Sequence, residues 1–268
     1  MAAKIGCQAR LWLRETQDLG GILPRIGRDL GAAGFEGVEI GFAYVKNPDD
    51  VAAYRRAVDG NGLKTAGIHV GGAWHDPLTV QEKAMPQARA AAEFAGAVGA
   101  EYLVISTGRK QGGQLTREEI EMQVAHLSEL CSYAAALGVM PLLHNHQHEF
   151  AHGARVFREI MSAIDAAALG LCLDINWAMW AGADGVAVLK EYYARLRMVH
   201  VRDTVKNAAC VEVMGEGDVA LAAIFSELRA REFPHWVLYE WSACEPTTNR
   251  PTAEVGRLNR EYLGKALN

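Results

Sequence analysis

The sequence predicts an α/β protein built as a single (β/α)8 barrel, and three observations lead to this fold class. Eight short β-branched or apolar runs recur along the chain, with starts spaced about 27 to 40 residues apart. Helical patterns lie between them, as repeated βα units require. The first run continues into QARLWLRE, whereas an open doubly wound sheet, the alternative fold, usually has a glycine-rich phosphate loop there.

The predicted strands share short length and turn residues at both ends, and they cover 4–9, 35–40, 64–70, 101–106, 140–146, 170–176, 197–203 and 235–241. The clearest helix lies between the fourth and fifth strands, where apolar residues recur every three or four positions from Ile120 to Ala134. Thr116 and Glu119 have the spacing of a capping box, and Gly138 is a stop signal. No linker or change of composition interrupts the pattern, so we predict one domain over 1–268.

Composition and charge exclude several classes of protein. The chain of 268 residues is 50% hydrophobic and 22% charged with a net charge of −5, which provides no basic surface for nucleic acid or for an anionic membrane. No apolar run reaches the roughly 18 to 20 residues of a membrane span, and the first residues do not resemble a signal peptide. The odd set of widely spaced cysteines favours reduced thiols and a cytoplasmic location; the cysteines are Cys7, Cys131, Cys172, Cys210 and Cys244.

Polar side chains are concentrated where the predicted strands end, which is where barrel enzymes place their active sites. Four neighbouring strands carry the ionisable groups LLHNHQHEF (142–150), Asp174, His200 and Glu240. Each group alone has an ordinary explanation, such as a helix cap, a buried core histidine or an ion pair with Arg202. Together, carboxylates and imidazoles on adjacent strands predict a site for a divalent metal ion.

Motifs from the last four strands occur in a fixed order: HNHQHEF, CLDINWAMWAGAD, MVHVRD, GEGDVALAAIFSEL and WVLYEW. In this order they resemble the sugar isomerase/epimerase superfamily with a xylose-isomerase-like barrel. That superfamily includes inosose dehydratases, hydroxypyruvate isomerases, ketose 3-epimerases and the endonuclease IV branch. The resemblance implies that Asp174, His200 and Glu240 bind the metal together with a ligand from the fifth strand.

The fifth-strand ligand is open between two residues. His144 stands where many relatives carry a glutamate, and Glu149, five residues later, is the nearest carboxylate. We favour Glu149, since Mn²⁺ and Mg²⁺ prefer oxygen donors, which gives Glu149, Asp174, His200 and Glu240 as the expected ligands. Mn²⁺ is the expected metal, with Mg²⁺, Co²⁺ and Zn²⁺ as alternatives. His144 and His146 would then contact substrate or transfer protons.

Other residues are expected to bind substrate or support the site. His69 ends the third strand, and Arg202 follows His200 on the same strand face; the alternative for Arg202 is an ion pair with Asp203 or Glu240. Trp177 is expected to form an apolar wall against a sugar ring, or else to pack within a helix. The GEGD segment (215–218) is interpreted as a turn with a helix N-cap, or as a substrate loop. His148 and His152 are expected behind the ligands or at the surface.

The resemblance and these residues imply a metal-dependent sugar isomerase or epimerase that acts through an enediolate, with Glu149, Glu240 and His144 as catalytic residues. A dehydratase or lyase acting on a ketoinositol or a 3-keto-glycoside is the alternative, followed by a non-catalytic sugar-binding barrel. A DNA-repair endonuclease is disfavoured by the net charge and by Trp177. The expected partner is a small sugar or cyclitol, not nucleic acid or a membrane, and the segment 176–181 is a candidate contact for a second copy.

Overall fold

The computed structural model describes residues 3–205, 209–241 and 250–268, and its centre is a closed barrel of eight parallel strands. The barrel strands are β1 (Lys4–Gln8), β2 (Gly37–Gly41), β3 (Lys64–Gly72), β4 (Tyr102–Thr107), β5 (Met140–His144), β6 (Gly170–Asp174), β7 (Leu196–Val201) and β10 (Trp236–Tyr239). β1 pairs with both β2 and β10, which closes the sheet and excludes the open doubly wound alternative.

Helices surround the barrel and pack their apolar faces on the outer surface of the strands. They are α1 (Arg10–Leu13), α2 (Leu19–Ala33), α3 (Val51–Val58), α4 (Pro77–Thr79), α5 (Met85–Val98), α6 (Arg117–Ala136), α7 (Gln147–Ala163), α8 (Ile175–Trp180), α9 (Gly185–Glu191), α10 (Leu221–Ala230) and α11 (Thr252–Leu267). The part of the chain that the structure describes contains no helix that is long and apolar enough to cross a membrane.

All eight predicted strands are present, and their ends differ from the prediction by one or two residues. The predicted helix signals of α6 are also confirmed. Thr116 and Glu119 form the capping box, and Gly138 has φ +75° just after the helix. A short two-stranded antiparallel sheet of β8 (Asp203–Val205) and β9 (Ala209–Val211) was not predicted from the sequence.

The GEGD segment is a turn, but its predicted N-cap is wrong. α10 begins at Leu221 with Ala220 as its N-cap residue, which has no capping side chain. The turn is instead held by Asp203, whose carboxylate accepts hydrogen bonds from the backbone N–H groups of Gly215 and Gly217 at 2.8 and 3.0 Å. This carboxylate is occupied by backbone donors and is not the ion-pair partner of Arg202.

The interior of the barrel consists of two layers of side chains that come from the same strands. The lower, apolar layer contains Ala66, Tyr102, Val104, Leu142, Cys172, Met198, Trp236 and Leu238. Two residues further along β5, β6, β7 and β10 the same face carries ionisable groups, because side chains alternate with a period of two. His144 follows Leu142 in this way, and Glu240 follows Leu238. Cys7, Cys131 and Cys172 are free thiols, Cys210 is buried, and Cys244 lies outside the described residues.

Candidate metal centre and active-site cleft

Four donor side chains converge at the C-terminal end of the barrel. His144 ends β5, Asp174 ends β6, His200 lies on β7 and Glu240 directly follows β10. One ligand atom from each lies within 4.8 Å of the others, and all four residues are buried. Three members of this group, Asp174, His200 and Glu240, are the residues expected from the sequence.

The fourth member is His144, whereas the preferred sequence prediction was Glu149. Nε2 of His144 lies 3.8 Å from Oδ2 of Asp174 and 3.8 Å from Oε2 of Glu240. β5 ends at His144, so His144 points into the barrel while the chain turns and starts α7 at Gln147. The geometry therefore favours His144 over Glu149 as the fifth-strand member of the donor group. An imidazole then takes the place of a glutamate.

Glu149 lies in the first turn of α7, outside this group. Its Oε1 accepts a hydrogen bond from the Thr107 hydroxyl, and its Oε2 accepts one from the backbone N–H of His146 at 2.8 Å. This second bond is the capping-box contact of an α-helix, with the acid three residues after the N-cap. Burial raises the pKa of Glu149 to about 8, and the hydrogen bonds from Thr107 and from the backbone of His146 oppose this shift only in part.

His200 is held by carboxylates on both ring nitrogens. Nδ1 lies 3.1 Å from Oε2 of Glu240, and Nε2 lies 3.0 Å from Oε2 of Glu39. The amide of Gln8 donates to the other oxygen of Glu39 at 2.7 Å. Burial opposes the charge of Glu39, but His200 outweighs it and lowers the pKa of Glu39 to about 2. A carboxylate behind a ligating imidazole fixes the ring orientation, and this role of Glu39 was not recognised in the sequence.

Arg202 connects two members of the donor group. Its Nη1 lies 2.8 Å from Oδ2 of Asp174 and 2.9 Å from Oε2 of Glu240. The guanidinium also lies over the ring of Trp177, 5.1 Å from its centre. Arg202 therefore faces the site as the strand period predicted, and the ion pair with Glu240, which was the alternative to substrate binding, is present. Asp174 has a second structural role, since its Oδ1 accepts from the backbone N–H of Trp177 at 2.9 Å and caps α8.

The donor group fits a divalent metal ion by its chemistry. Both ring nitrogens of His144 are buried and have no hydrogen-bond partner among the described residues, and a metal ion bound to one of them would offset part of this cost. Neighbouring ligand atoms in a tetrahedral zinc shell lie about 3.4 Å apart, close to the 3.8 Å between His144 and either carboxylate. Two imidazoles with two carboxylates suit Zn²⁺, Mn²⁺ and Co²⁺ better than Mg²⁺.

The residues predicted to bind substrate surround this group. The ring of His144 is 5.2 Å from that of His69 and 4.9 Å from that of His146. Trp177 is 5.7 Å from His146, ring centre to ring centre. Nε2 of His69 lies 3.1 Å from the Ser106 hydroxyl. The side of the mouth formed by β3 and β5 therefore consists mainly of imidazoles.

A cleft of about 1160 Å³ opens beside the donor group, and His146 and Trp177 lie in its wall. The β4–α6 loop forms one side of the cleft, and the starts of α7 and α8 form the other. His148 lines the cleft, and its Nε2 lies 3.2 Å from the Thr107 hydroxyl and 3.3 Å from Oε1 of Glu149. Burial, followed by the positive charge of Arg109, lowers the pKa of His148 to about 4.

The helix α7 is interrupted beside this cleft. His152, Gly153 and Ala154 all have left-handed backbone conformations, with φ values of +53°, +74° and +60°. His152 is exposed at this interruption, as predicted for a surface residue. Left-handed φ is costly for residues other than glycine, by about 1 kcal/mol or more each. The interruption separates the first turn, which carries His148 and Glu149, from the rest of the helix.

Comparison with known proteins places this geometry in a family. Residues 28–260 match the family model described as xylose isomerase-like TIM barrel. An inosose dehydratase of Clostridium botulinum (strain Alaska E43 / Type E3) is 26% identical, over 88% of this chain and 86% of the relative. An inosose dehydratase of Clostridium perfringens (strain 13 / Type A) is 24% identical, over 99% of this chain and 98% of the relative.

Solved structures show the same barrel. A D-allulose 3-epimerase from Methylomonas sp. superposes with a TM-score of 0.83 and 18% identity, over 99% of this chain and 98% of that chain. A 3-keto-D-glucoside 4-epimerase from E. coli superposes with a TM-score of 0.74 and 19% identity, over 98% of both chains. Similar folds thus occur in epimerases, and the two relatives described above are inosose dehydratases. By its sequence match and its fold, the chain belongs to the xylose isomerase-like TIM barrel family.

Proposed function

We propose that the protein is a divalent-metal-dependent carbon–oxygen lyase that acts on a ketoinositol or a related keto sugar. The carrying observation is the asymmetry of the barrel mouth. The carboxylate of Glu240 follows β10, and across the barrel the imidazoles of His69 and His146, on β3 and just after β5, flank that of His144. Elimination of water next to a carbonyl needs a base for the carbon-bound proton and hydrogen-bond donors for the departing hydroxyl.

The metal would be held by His144, Asp174, His200 and Glu240. When bound, it supplies Lewis-acid polarisation of the substrate carbonyl, which acidifies the neighbouring C–H. Mn²⁺ remains our expected metal, with Zn²⁺ and Co²⁺ as the alternatives that the two imidazoles favour.

Glu240 is the proposed base. Burial opposes its charge, but Arg202 and the histidines outweigh burial and hold its pKa well below the usual range. The carboxylate is therefore ionised at neutral pH. Arg202 and His200 both contact its Oε2, so the orientation of the carboxylate toward the mouth is fixed before substrate binds.

The histidine side of the mouth is suited to the departing hydroxyl. Burial is the main reason that the pKa of His69 falls to about 4 and that of His146 to about 2. Both rings are therefore neutral at neutral pH, and each has one N–H group to donate to a hydroxyl oxygen. The proton removed by Glu240 and the hydroxyl released on the histidine side together leave as water.

The arrangement of Glu149 is the reason for preferring elimination to epimerisation. An epimerase needs two proton-transfer groups on opposite faces of the substrate carbon, and Glu149 with Glu240 was the expected pair. Glu149 instead lies with Thr107 and the backbone of His146, and its raised pKa leaves it protonated at neutral pH. Isomerisation or epimerisation is the second candidate, because its first proton abstraction is the same and neighbouring folds include a 3-epimerase.

The test is proton exchange in D2O, followed by NMR, with ketoinositols, 2- and 3-ketosugars and 3-keto-glycosides in the presence of Mn²⁺, Co²⁺ or Zn²⁺. Loss of water, or of the glycosidic oxygen substituent, with formation of an unsaturated ketone supports the lyase. Deuterium incorporation with a new stereoisomer or positional isomer and no elimination supports the second candidate instead. No exchange with any substrate and metal contradicts both reactions.

A further inference from the structure

The cleft beside the donor group is much larger than a single sugar ring requires. Its volume of about 1160 Å³ exceeds the roughly 300–1,000 Å³ of pockets that enclose drug-sized molecules. It is continuous with the mouth of the barrel, because His146 and Trp177 border both. A substrate whose ring lies at the mouth therefore has space for a substituent that extends into the cleft.

The lining of the cleft is basic in a protein whose net charge is −5. Among the described residues, no aspartate or glutamate lines it. The ionisable side chains in its wall are Arg109, Lys110, His146, His148, His152 and Arg155. A concave surface that carries only one sign of charge concentrates ligands of the opposite sign.

Two of the three permanent cations are already paired. Nζ of Lys110 lies 2.7 Å from Oε1 of Glu119, and Nε of Arg155 lies 2.7 Å from Oε1 of Glu159. Arg109, by contrast, has no hydrogen bond or ion pair within the described ranges. Its guanidinium is exposed in the β4–α6 loop, where a planar fork of donors is available for a carboxylate or a phosphate.

We infer that the cleft is a subsite for an anionic substituent of the substrate, which Arg109 binds through its guanidinium. The placement of the sugar ring at the donor group rests on the proposed function. Anion binding by Arg109 does not depend on it. The substituent passes Trp177, whose ring provides an apolar face between the mouth and the basic lining. Carboxylate and phosphate groups are both anions that accept hydrogen bonds from a guanidinium. The substrate is accordingly an acidic derivative of a keto sugar or cyclitol.

The experiment uses two simple anions, inorganic phosphate and benzoate, titrated separately by calorimetry at low ionic strength into the protein as purified. We expect one-site binding of at least one anion and about a 10-fold loss of affinity in Arg109→Ala, as for a charge-assisted hydrogen bond. Arg56→Ala is the matched control, because Arg56 is also exposed and without a described partner but lies on α3, outside the cleft. Binding of phosphate alone or benzoate alone identifies which anion the cleft prefers.

His144→Ala separates this inference from the proposed metal centre. Anions that bind to a metal ion lose affinity in His144→Ala and keep it in Arg109→Ala, and this pattern would overturn the inference. It would also be overturned by the absence of binding of either anion, or by an equal loss in the Arg56 and Arg109 variants. None of these measurements needs turnover, so a failure of the proposed lyase reaction leaves the result interpretable.

Discussion

Leu142 and His144 lie two residues apart on β5 and point into the same barrel, but one packs among apolar side chains and the other among ionisable ones. Leu238 and Glu240 show the same change on the strand that closes the barrel. Both layers are almost completely buried. The difference is that the lower layer gains free energy from burial, whereas the upper layer loses it and needs compensating partners.

The compensation in the upper layer is specific. Arg202 lies between Asp174 and Glu240, and His200 lies between Glu39 and Glu240. His144 has no hydrogen-bond partner in the described part of the chain. The comparison therefore indicates that the lower layer is responsible for stability and the upper layer for function. Four predictions test this division.

The largest effect is expected for Glu240→Gln. Removing the proposed base should lower the rate of metal-dependent exchange of a carbon-bound proton by about 10²- to 10⁴-fold. The amide keeps the volume of the side chain, so chemical denaturation should show a much smaller change than the rate does. An exchange rate within threefold of wild type would remove Glu240 from the mechanism.

The next effect concerns the lower layer. Leu238 is fully buried, so Leu238→Ala should lower the free energy of unfolding by about 2–5 kcal/mol. Metal content, measured by elemental analysis, should remain that of wild type. If the metal were lost while the protein stayed folded, the two layers would not be separable in this way.

Glu149 gives a pH-dependent effect in chelator-treated protein. Burial raises its pKa from 4.5 to about 8, so the folded state holds a proton that the unfolded state releases over this range. The free energy of unfolding should therefore fall as pH rises from 4.5 to about 8. The expected loss is about 1.4 kcal/mol per pKa unit, or a few kcal/mol in total. Urea titrations at several pH values should show that Glu149→Gln becomes more stable relative to wild type from pH 5 to pH 8. A difference independent of pH would contradict the burial argument.

The smallest effect is expected for the carboxylate behind His200. Glu39→Gln keeps a hydrogen-bond acceptor but weakens the orientation of the imidazole, and metal affinity should fall by about 10- to 100-fold. Competition with a coloured chelator measures this change. Glu82→Gln, on an exposed glutamate outside the site, is the control and should leave affinity unchanged.

The sequence was sufficient for the barrel, because each strand is a separate local signal and eight of them fit only a few topologies. It also located Asp174, His200 and Glu240, since a strand end fixes where a side chain points. The exchange of roles between His144 and Glu149 could not be derived in this way. It depends on a turn at 145–146, and strand periodicity no longer applies after the strand has ended.

Two further features depend on contacts that are distant in sequence. Glu39 and His200 are 161 residues apart and meet only because the barrel closes. The capping role of Glu149 did have a local signal, namely its position three residues after His146. Serine, threonine, aspartate or asparagine is the usual N-cap residue of this motif, so a capping box that begins with histidine is not recognised from the sequence.

The left-handed segment at 152–154 has a consequence for how the site can vary. In a continuous helix, each inserted or deleted residue rotates everything before it by about 100° relative to the buried face. Here the buried residues Phe157, Ile160 and Met161 lie after the interruption, and His148 and Glu149 lie before it. The orientation of the first turn is thus set by the contact between Phe150 and Phe157, whose ring centres lie 4.5 Å apart, and not by the helical period. Changes of length at 151–154 would turn the cleft wall relative to the outer core as far as this one contact allows.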